Sequence, residues 1–478
     1  MAFQANPIKF GTDGWRGVIA ADFTFERVAK LAPLCAKVLQ EDNPNSNLII
    51  VGYDRRFLAE DFAQITADSL LEAGFDVQLS ESYAPTPAFS WAANAQNALG
   101  ALVLTASHNP ASYLGLKVKG GFGGSVTGDV TKKIESLLES GAVVASEKKG
   151  TLTHFDPWES YCQKLRSQVD IDGIKQAIVD GKLNLFVDVM HGAASTGLAR
   201  LLGCEITEIN ADRDTLFGGN PPEPLAKYIP ELFRQVKESA KSQPDSLRVG
   251  LVFDGDCDRI AAVDGNGDFC STQTLIPVLI EHLAIRKQLK GEVVKTVSGS
   301  DLIPKIATLF DIPLYETPIG YKYIAARMLE KNVLIGGEES GGVGYTNHIP
   351  ERDALLSALY VLEAVVQSGK DISELYSNLQ KQVDFNSQYD RIDLPLANME
   401  HKNRIQKYLA ENTLSDVAQK KVVDCLSIDG YKYRLDDGSW LLIRFSGTEP
   451  LLRLYSEGND LKAVQANLYW AKDWALAI

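Results

Sequence analysis

The chain has 478 residues, of which 45% are hydrophobic and 23% are charged. A single hydrophobic core stops growing at about 250–300 residues, so this length predicts several domains, and the balanced composition excludes a disordered, collagen-like or coiled-coil chain. Its 48 basic and 62 acidic residues give a net charge of -14. Because nucleic-acid binders usually need a positively charged face, this balance argues against one, although a few cations converging in a cleft can still bind a small anion.

Cysteine usage and the N-terminal segment bear on the compartment. The six cysteines are scattered and form no CxxC pair, which argues against a disulfide scaffold and a thiolate zinc site. Residues 1–17 (MAFQANPIKFGTDGWRG) contain no apolar signal core, and no run approaches the ~18 apolar residues of a membrane span. We therefore expect a cytoplasmic protein with no membrane partner.

Short apolar runs that end in a polar or glycine turn recur along the chain and predict buried parallel strands. Helical stretches alternate with them, such as residues 58–73, which Gly74 ends, and residues 353–367, which Asp353 begins as the N-cap. This alternation is typical of α/β units, which bind ligands at the loops after the carboxyl ends of their strands. The predicted strands are residues 48–51, 101–104, 185–189, 249–253 and 333–335.

After about Val383 the pattern changes to that of an antiparallel α+β domain. It contains one predicted helix, residues 399–411, among predicted strands at 392–394, 431–434, 440–445 and 451–455. We predict domain boundaries near residues 152, 268 and 382, with an error of about ten residues. The predicted domains are therefore 1–152, 153–268, 269–382 and 383–478.

The first segment with chemical character is 105–110 (TASHNP), followed by Lys117. A serine at a strand end, on a turn stopped by proline, is exposed enough to carry a phosphoryl group, which makes Ser107 a candidate nucleophile. His108 and Lys117 are candidates for moving a proton or neutralising charge. An Asn-Pro turn with an ordinary surface serine is the alternative.

The second segment, 254–259 (DGDCDR), places three carboxylates at alternate positions of a tight loop. These are Asp254, Asp256 and Asp258. Converging carboxylates repel one another unless a cation lies between them, and all-oxygen ligation suits Mg²⁺. An EF-hand is excluded because Arg259 stands where that loop needs glycine. The nearby segment 264–268 (DGNGD) predicts a hairpin turn, and a solvated acidic loop is the alternative for the first segment.

Three further segments carry groups that suit sugar hydroxyls or anions. Residues 336–342 (GGEESGG) flank acceptors for sugar hydroxyls, Glu338 and Ser340, with glycines, although a flexible surface turn fits as well. Residues 444–450 (RFSGTEP), with Arg453 beyond them, combine arginines, hydroxyls and a glycine turn into a phosphate cradle, and a basic β-turn is the alternative. Residues 10–17 add Arg16 between two glycines as another anion contact.

These segments, in this order, resemble the α-D-phosphohexomutase superfamily of phosphoglucomutases, phosphomannomutases and phosphoglucosamine mutases. The resemblance covers nearly the whole chain, with one signature in each predicted domain. It implies four domains around a deep cleft, of which the first three share an α/β core with mixed sheets and the fourth is α+β.

The resemblance also implies roles for the matched residues. Ser107 would be the phosphoserine, and Asp254, Asp256 and Asp258 would bind Mg²⁺ together with a phosphate oxygen on Ser107. Arg16, His108, Lys117 and Arg259 would form the catalytic centre, with Lys117 or His108 as the acid/base and Arg259 as a partner of the phosphoserine. The implied substrate-binding residues are Gly320, Tyr321, Lys322, Glu338, Ser340, Arg444, Ser446, Gly447, Thr448 and Arg453.

The activity implied is the interconversion of glucose 1-phosphate and glucose 6-phosphate through the phosphoserine. Glucose 1,6-bisphosphate would be both the intermediate and the activator, and the partners would be small sugar phosphates, with no nucleic acid, bound by a monomer or homodimer. Glu339 favours glucose over glucosamine, because phosphoglucosamine mutases carry Gln there. The loop ends in Gly342, where many members have His, and this removes a contact to the sugar.

Several alternatives remain open at this stage. One is a glucose-1,6-bisphosphate synthase that uses fructose 1,6-bisphosphate as the phosphoryl donor, because a glycine-ended loop would hold the intermediate less well. Another is a phosphomannomutase or phosphoglucosamine mutase. A phosphoserine-forming hydrolase would need no cradle for a second phosphate, and a catalytically silent scaffold would be expected to lose Ser107 or an aspartate.

Overall fold

Four β-sheets follow one another along the chain, with six, five, four and six strands. The computed structural model that shows them describes residues 5–11, 13–446 and 449–478. The first three sheets mix parallel and antiparallel strands and pack against helices, whereas the fourth is antiparallel. This architecture confirms the predicted fold class of three α/β domains and a C-terminal α+β domain. The predicted boundaries at 152, 268 and 382 remain predictions.

The first domain is built around a sheet of strand order β1-β5-β4-β2-β3-β6. Strands β2, β3, β4 and β6 are parallel, β5 is antiparallel to β4, and β1 at the edge is antiparallel to β5. Every residue of β4 is buried, as expected for a central strand covered on both faces. The elements are β1 (Trp15–Val18), α1 (Phe25–Asp42), β2 (Leu48–Tyr53), α2 (Ala59–Glu72), β3 (Asp76–Ser80), α3 (Thr86–Ala95), β4 (Gly100–Leu104), β5 (Tyr113–Gly120), α4 (Gly128–Glu139) and β6 (Leu152–Phe155).

The second domain has the strand order β11-β10-β9-β7-β8. Strand β7 pairs in parallel with β8 and β9, and β9, β10 and β11 form antiparallel neighbours. Residues 264–268 connect β10 to β11, which confirms the predicted hairpin turn. The elements are α5 (Glu159–Arg166), α6 (Ile171–Val179), β7 (Leu183–Asp188), α7 (Gly197–Leu202), β8 (Thr207–Ile209), 3₁₀ turns at Phe217–Gly219 and Ala226–Tyr228, α8 (Pro230–Ser242), β9 (Leu247–Phe253), β10 (Ile260–Val263) and β11 (Phe269–Cys270).

The third domain has the strand order β13-β12-β14-β15, with β15 antiparallel to β14. Asp353 caps its longest helix by accepting the Leu356 N–H, which confirms the predicted helix start. That helix is buried along most of its length because it packs between the second and third domains. The elements are α9 (Thr272–Glu281), a π-helical turn (His282–Arg286), β12 (Glu292–Thr296), α10 (Leu302–Leu309), β13 (Leu314–Thr317), α11 (Tyr321–Glu330), β14 (Val333–Gly337), β15 (Val343–Tyr345), α12 (Ala354–Ser368) and α13 (Ile372–Gln382).

The fourth domain is a wholly antiparallel sheet of order β16-β21-β20-β19-β18-β17 that packs against α15. The predicted helix 399–411 matches α14, and the predicted strand 440–445 matches β20. Among the described residues, no helix is long and apolar enough to cross a membrane. The elements are β16 (Gln388–Pro395), α14 (Met399–Glu411), β17 (Asp416–Val417), β18 (Lys420–Leu426), β19 (Tyr431–Leu435), β20 (Trp440–Phe445), β21 (Leu451–Gly458) and α15 (Leu461–Ala477).

The chemically distinctive segments occupy equivalent places in the first three domains. In each domain a buried strand with a parallel neighbour runs into an antiparallel partner, and the segment is the turn between them. The serine segment joins β4 to β5, the acidic segment joins β9 to β10, and the glycine-rich segment joins β14 to β15. Such turns lie at the carboxyl ends of parallel strands, where α/β folds bind ligands.

Candidate active site

Ser107 lies in the turn after β4 and faces the acidic loop of the second domain. Its hydroxyl donates to Oδ2 of Asp254 at 2.8 Å, and Nδ1 of His108 lies 3.2 Å from the same hydroxyl oxygen. The prediction of an exposed serine is wrong, since only 1% of the residue is accessible. The cause is the close approach of the second domain, where a Cβ on Gly255 would lie 2.4 Å from the Ser107 carbonyl oxygen.

The three aspartates of the acidic loop converge as the sequence predicted. Asp254, Asp256 and Asp258 are buried, and one ligand atom from each lies within 4.8 Å of the others. Burial, together with the two neighbouring carboxylates, raises the pKa of Asp254 well above its usual value. Oδ1 of Asp256 and Oδ1 of Asp258 have no hydrogen-bond partner among the described residues. Because buried oxygens without partners are costly, this all-oxygen cluster fits a hard divalent cation such as Mg²⁺.

Lys117, on β5, neutralises part of this acidic cluster. Its ammonium lies 2.6 Å from Asp258 Oδ2, 2.7 Å from Asp256 Oδ2 and 2.8 Å from Asp13 Oδ2. Burial would lower the pKa of Lys117, but these carboxylates outweigh burial and raise it above the ordinary value. The Lys117 ammonium is therefore firmly charged.

His108 has the opposite electrostatic setting. Burial lowers its pKa well below the ordinary value, and the charges of Arg259 and Arg16 lower it further. The imidazole is therefore neutral at neutral pH. Arg16, whose Nη1 donates to Asn109 Oδ1 at 2.6 Å, holds the turn just beyond the serine.

A buried ion network that the sequence did not predict supports this centre. Arg352, just before α12, donates to Asp258 Oδ2 at 2.7 Å and also to Asp13. Lys119 pairs with Asp13 at 2.9 Å and with Glu351 at 2.6 Å. Charges from three domains thus meet beneath the acidic loop. Asp13 stands in the segment that drew attention to Arg16, whereas no local pattern marks the other three residues.

The glycine-rich loop of the third domain is tied to its neighbours. Gly341 accepts the Ile260 N–H at 3.0 Å, which joins this loop to the end of the acidic loop beside Arg259. Glu338 is buried, which raises its pKa, and its Oε1 accepts the Gly320 N–H at 3.1 Å. Ser340 is half-buried at the tip of the loop. Gly320 and Glu338, which were predicted to share the sugar site, therefore do lie together.

The other residues of the predicted 320–322 substrate segment behave differently from each other. Tyr321 is buried in the core of the third domain, with the Arg352 guanidinium 5.5 Å from the centre of its ring. It is the first residue of helix α11, and its side chain packs with Val294 and Ile324. Lys322 is half-buried and lines a small pocket with Gly11 and Ser125 of the first domain. Lys322 thus faces the first domain, whereas the Tyr321 side chain supports Arg352.

The fourth domain contributes two arginines that face each other. Arg444 on β20 and Arg453 on β21 are directly opposite partners in the antiparallel ladder. Like charges at such positions destabilise a sheet unless an anion lies between them. Arg444 Nε donates to Asp429 Oδ2 at 3.0 Å, whereas Nε of Arg453 is buried without a partner in the described part of the chain. The two facing guanidinium groups are therefore able to bind an anion.

Lys402 binds two backbone carbonyls of the segment that follows Arg444. Lys402 donates to the Ser446 carbonyl at 2.8 Å and to the Glu449 carbonyl at 3.3 Å, and the Ser446 hydroxyl accepts the Glu449 N–H at 3.3 Å. Asp429 also accepts the Ile319 N–H at 3.1 Å, which links Arg444 to the segment beside Gly320. The predicted residues Gly447 and Thr448 lie outside the described residues.

Comparison with known proteins decides the family. Each predicted domain matches one domain of the phosphoglucomutase/phosphomannomutase family: the alpha/beta/alpha domains I, II and III over residues 7–143, 159–267 and 272–383, and the C-terminal domain over residues 397–467. The chain belongs to this family. It is therefore an enzyme of the phosphohexomutase kind, within the α-D-phosphohexomutase superfamily that the sequence resembled.

Relatives of this phosphohexomutase are similar over nearly their full length. A phosphoglucomutase/phosphomannomutase of Thermococcus kodakarensis is 31% identical, over 94% of each chain. A phosphoglucosamine/phosphogalactosamine mutase of Sulfurisphaera tokodaii is also 31% identical, over 94% of this chain and 95% of the relative. A crystal structure of a protein from Thermus thermophilus, assigned as a phosphomannomutase, superposes with a TM-score of 0.84 at 32% identity, covering 98% of this chain and 99% of the other.

Proposed function

We propose that this enzyme is a magnesium-dependent phosphohexomutase in which Ser107 carries the phosphoryl group that moves between the two ends of a hexose phosphate. The observation that carries this proposal is the meeting of two domains at one point. The Ser107 hydroxyl of the first domain lies 2.8 Å from Asp254, one of three buried carboxylates of the second. A hydroxyl beside an all-oxygen cation site is what phosphoryl transfer through an enzyme-bound phosphate requires.

The residues at the proposed reacting end have separate roles. Asp254, Asp256 and Asp258 would hold Mg²⁺ through their carboxylate oxygens. When bound, the cation supplies positive charge that stabilises the transferring phosphoryl group. Lys117 adds a fixed positive charge, since three carboxylates keep it protonated. His108, neutral and 3.2 Å from the Ser107 hydroxyl, is the better placed of the two acid/base candidates to exchange a proton there.

The fourth domain would bind the phosphate that is not reacting. Arg444 and Arg453 face each other across two strands, and Ser446 begins the adjoining turn. Gly447 and Thr448 belong to this proposed cradle on the strength of the family resemblance. A mutase must present each end of its bisphosphate intermediate to Ser107 in turn, so the remote site has to grip either phosphate equally well. A site made of paired guanidinium groups meets that need, because each recognises phosphate by its charge and planar fork.

The Glu339 contact and the names of the relatives support a broader range of sugars than glucose alone. Glu339, which indicated glucose, pairs with Arg391 of the fourth domain at 3.1 Å, so that its carboxylate links two domains. The relatives are named for glucose, mannose and glucosamine phosphates. We therefore propose phosphomannomutase activity alongside phosphoglucomutase activity, with the corresponding hexose bisphosphate, such as glucose 1,6-bisphosphate, as intermediate and activator. The cytoplasmic location and the monomeric or dimeric state stay predictions.

A second candidate is a synthase that releases glucose 1,6-bisphosphate and is rephosphorylated by fructose 1,6-bisphosphate. The end of the sugar loop favours it. A Cβ on Gly342 would lie 2.3 Å from Cδ of Arg352, so the buried arginine leaves no room for a side chain that could reach the sugar. A loop with one fewer side-chain contact would hold the bisphosphate less firmly through its half-turn.

One set of incubations separates these activities. Pure protein with Mg²⁺ receives glucose 6-phosphate, mannose 6-phosphate or glucosamine 6-phosphate, each with a trace of a hexose 1,6-bisphosphate or with excess fructose 1,6-bisphosphate. Conversion of the glucose and mannose substrates to 1-phosphates, with little free bisphosphate, supports the mutase. Stoichiometric glucose 1,6-bisphosphate in the second series, with slow isomerisation in the first, would establish the synthase. Conversion of the glucosamine substrate alone would overturn the proposed sugar range.

A further inference from the structure

The turn that carries Ser107 has a backbone that needs external support. Ser107 has a φ of 52°, in the left-handed region that residues other than glycine seldom adopt. Such a residue keeps this conformation only where its surroundings impose it. The turn between β4 and β5 is irregular, so its carbonyl groups must find partners outside a strand or helix ladder.

Most of that support comes from Arg56, a residue that the sequence analysis did not single out. Its Nη2 donates to the carbonyl oxygens of Ser107 and Asn109, both at 2.6 Å. Its Nη1 donates to the carbonyl oxygens of Pro110 at 3.0 Å and Tyr113 at 3.1 Å. Arg56 is 0% exposed. One guanidinium group thus gathers four carbonyls of the serine turn, which only a rigid fork of several N–H donors can do.

Asp54 connects Arg56 to the backbone N–H of Ser107 through the Thr105 hydroxyl, which closes a ring of contacts around Ser107. Asp54 Oδ2 lies 3.4 Å from Arg56 Nε and accepts the Thr105 hydroxyl at 2.6 Å. The Thr105 oxygen in turn accepts the Ser107 N–H at 2.9 Å. The N–H and the carbonyl of Ser107 are therefore fixed to the same buried ion pair.

The second domain holds Arg56 and the serine turn from the other side. The Arg56 guanidinium lies 4.8 Å from the ring centroid of Phe217, and Gly255 closes over the Ser107 carbonyl. Residues of the second domain therefore pack against both Arg56 and the turn that it holds.

We propose that Arg56, held by Asp54, is the positioning residue that fixes the left-handed turn at Ser107 and thereby aims its hydroxyl at the acidic loop. Arg56 donates its hydrogen bonds to backbone carbonyls of the turn and takes no part in binding the sugar phosphate. Its loss should therefore lower kcat and leave KM nearly unchanged. The kinetic part of this inference rests on the proposed phosphohexomutase function, whereas the structural part does not.

The test compares Arg56→Lys with Arg248→Lys. Lysine keeps the charge but cannot reach four carbonyls at once. Arg248 is a matched control, because it donates to the carbonyls of Gln243, Ser246 and Gly265 around the start of β9, at the opposite end of that strand from the acidic loop. Hydrogen exchange followed by mass spectrometry on the peptide spanning 105–113 is measured beside steady-state kinetics with the hexose phosphate that the wild type converts.

In Arg56→Lys we expect exchange of that peptide to be at least about tenfold faster, and kcat to fall by about 10²-fold, with KM within about threefold of the wild type. A misplacement of about 1 Å at a reacting group has an effect of this size. In Arg248→Lys both quantities should stay within about twofold. Exchange and kcat of Arg56→Lys that match the wild type would overturn the proposal, as would an increase in KM with kcat unchanged.

A second variant covers the case in which Arg56→Lys does not fold, and the exchange measurement covers the case in which the proposed function fails. If Arg56→Lys does not fold, Asp54→Asn, which weakens the other half of the ring, should show the same changes at smaller size, and unchanged exchange there would overturn the proposal. If the wild type converts no hexose phosphate, the proposed function fails, but the exchange of peptide 105–113 still tests the role of Arg56.

Discussion

The two ends of the proposed substrate site are built in different ways. At the proposed reacting end, Ser107 is buried, and its carbonyl, amide and hydroxyl each have a hydrogen-bond partner. At the remote end, Lys402 holds the turn after Arg444 by two carbonyls, and Arg453 keeps a buried Nε without a partner in the described part of the chain. Under the proposed function, this difference means that the enzyme would fix the group that reacts and keep free hydrogen-bonding capacity for the phosphate that is only bound.

The same contrast appears in the charges. At the reacting end the central lysine is already paired, since Lys117 contacts Asp13, Asp256 and Asp258. In the fourth domain Arg444 and Arg453 face each other, so an anion bound between them would relieve their mutual repulsion. Remote binding energy of this kind can hold the reacting end in place. Four substitutions test the contrast, from the largest expected effect to the smallest.

Ser107→Ala should abolish turnover, because it removes the group proposed to carry the phosphoryl. The protein should stay folded, since the deleted hydroxyl makes only a few of the contacts that hold the turn. Steady-state assays with circular dichroism check both points. Ser195→Ala is the matched control, because it deletes another buried serine hydroxyl, which donates to the Ala211 carbonyl at 2.8 Å. Residual turnover of Ser107→Ala above about 1% of the wild type would contradict the assignment.

Asp256→Asn should lower kcat by at least about 10²-fold, a loss typical of removing one strong electrostatic contact from an active site. It keeps the shape of the side chain but removes a carboxylate from the acidic loop and from Lys117. The rate is measured against Mg²⁺ concentration, and the midpoint should move to higher Mg²⁺. Asp268→Asn, in the hairpin turn of the same domain, should change neither quantity. An unchanged Mg²⁺ titration in Asp256→Asn would place the metal elsewhere.

Arg453→Ala should lower kcat/KM for the hexose phosphate by about 10- to 100-fold, because a hydrogen bond to a charged group contributes about 1.5–3 kcal/mol. The rate at which acetyl phosphate phosphorylates Ser107 should change by less than about threefold, since that donor has no remote phosphate. Both rates are compared with those of Arg404→Ala, an exposed arginine of the same domain. Equal losses in both reactions would place Arg453 at the reacting end.

Glu339→Gln should have the smallest effect. It removes the charge that pairs with Arg391, but the side-chain carbonyl of glutamine can still accept the hydrogen bond that Arg391 Nη1 donates at 3.1 Å. We expect kcat/KM to fall by less than about fivefold, and the ratio of glucose to glucosamine phosphate turnover to stay within about threefold. Asp393→Asn removes the other carboxylate beside Arg391 and serves as the control. A reversal of the sugar preference in Glu339→Gln would show that this carboxylate reads the sugar after all.

The parts of the site that could be predicted are those that a few neighbouring residues determine. Strands β4, β9 and β14 are short apolar runs with abrupt polar ends, so the sequence indicates both the strand and the functional turn after it. Three aspartates at alternate positions of one tight loop must lie close together, so their convergence was also predictable. The same holds for helix α12, because Asp353 is a strong N-cap in front of an apolar run.

The parts that could not be predicted depend on residues far apart in the chain. The burial of Ser107 follows from the approach of Gly255, and Arg352 reaches Asp13 only because the third domain packs against the first. Arg56 is 51 residues away from Ser107 in the sequence, and it belongs to no motif that would have marked it. Tyr321 shows the converse, because a residue in a matching motif turned its side chain into the core.

The central claim is that Ser107 itself carries the phosphoryl group between the two ends of the sugar. Phosphopeptide mapping by mass spectrometry tests it most directly, on purified protein before and after brief incubation with glucose 1,6-bisphosphate and Mg²⁺. We expect one phosphate on the peptide that contains Ser107, increased by the bisphosphate and removed when excess hexose monophosphate is added. Phosphate on any other residue, or a phosphate on Ser107 that the monophosphate does not remove, would contradict it.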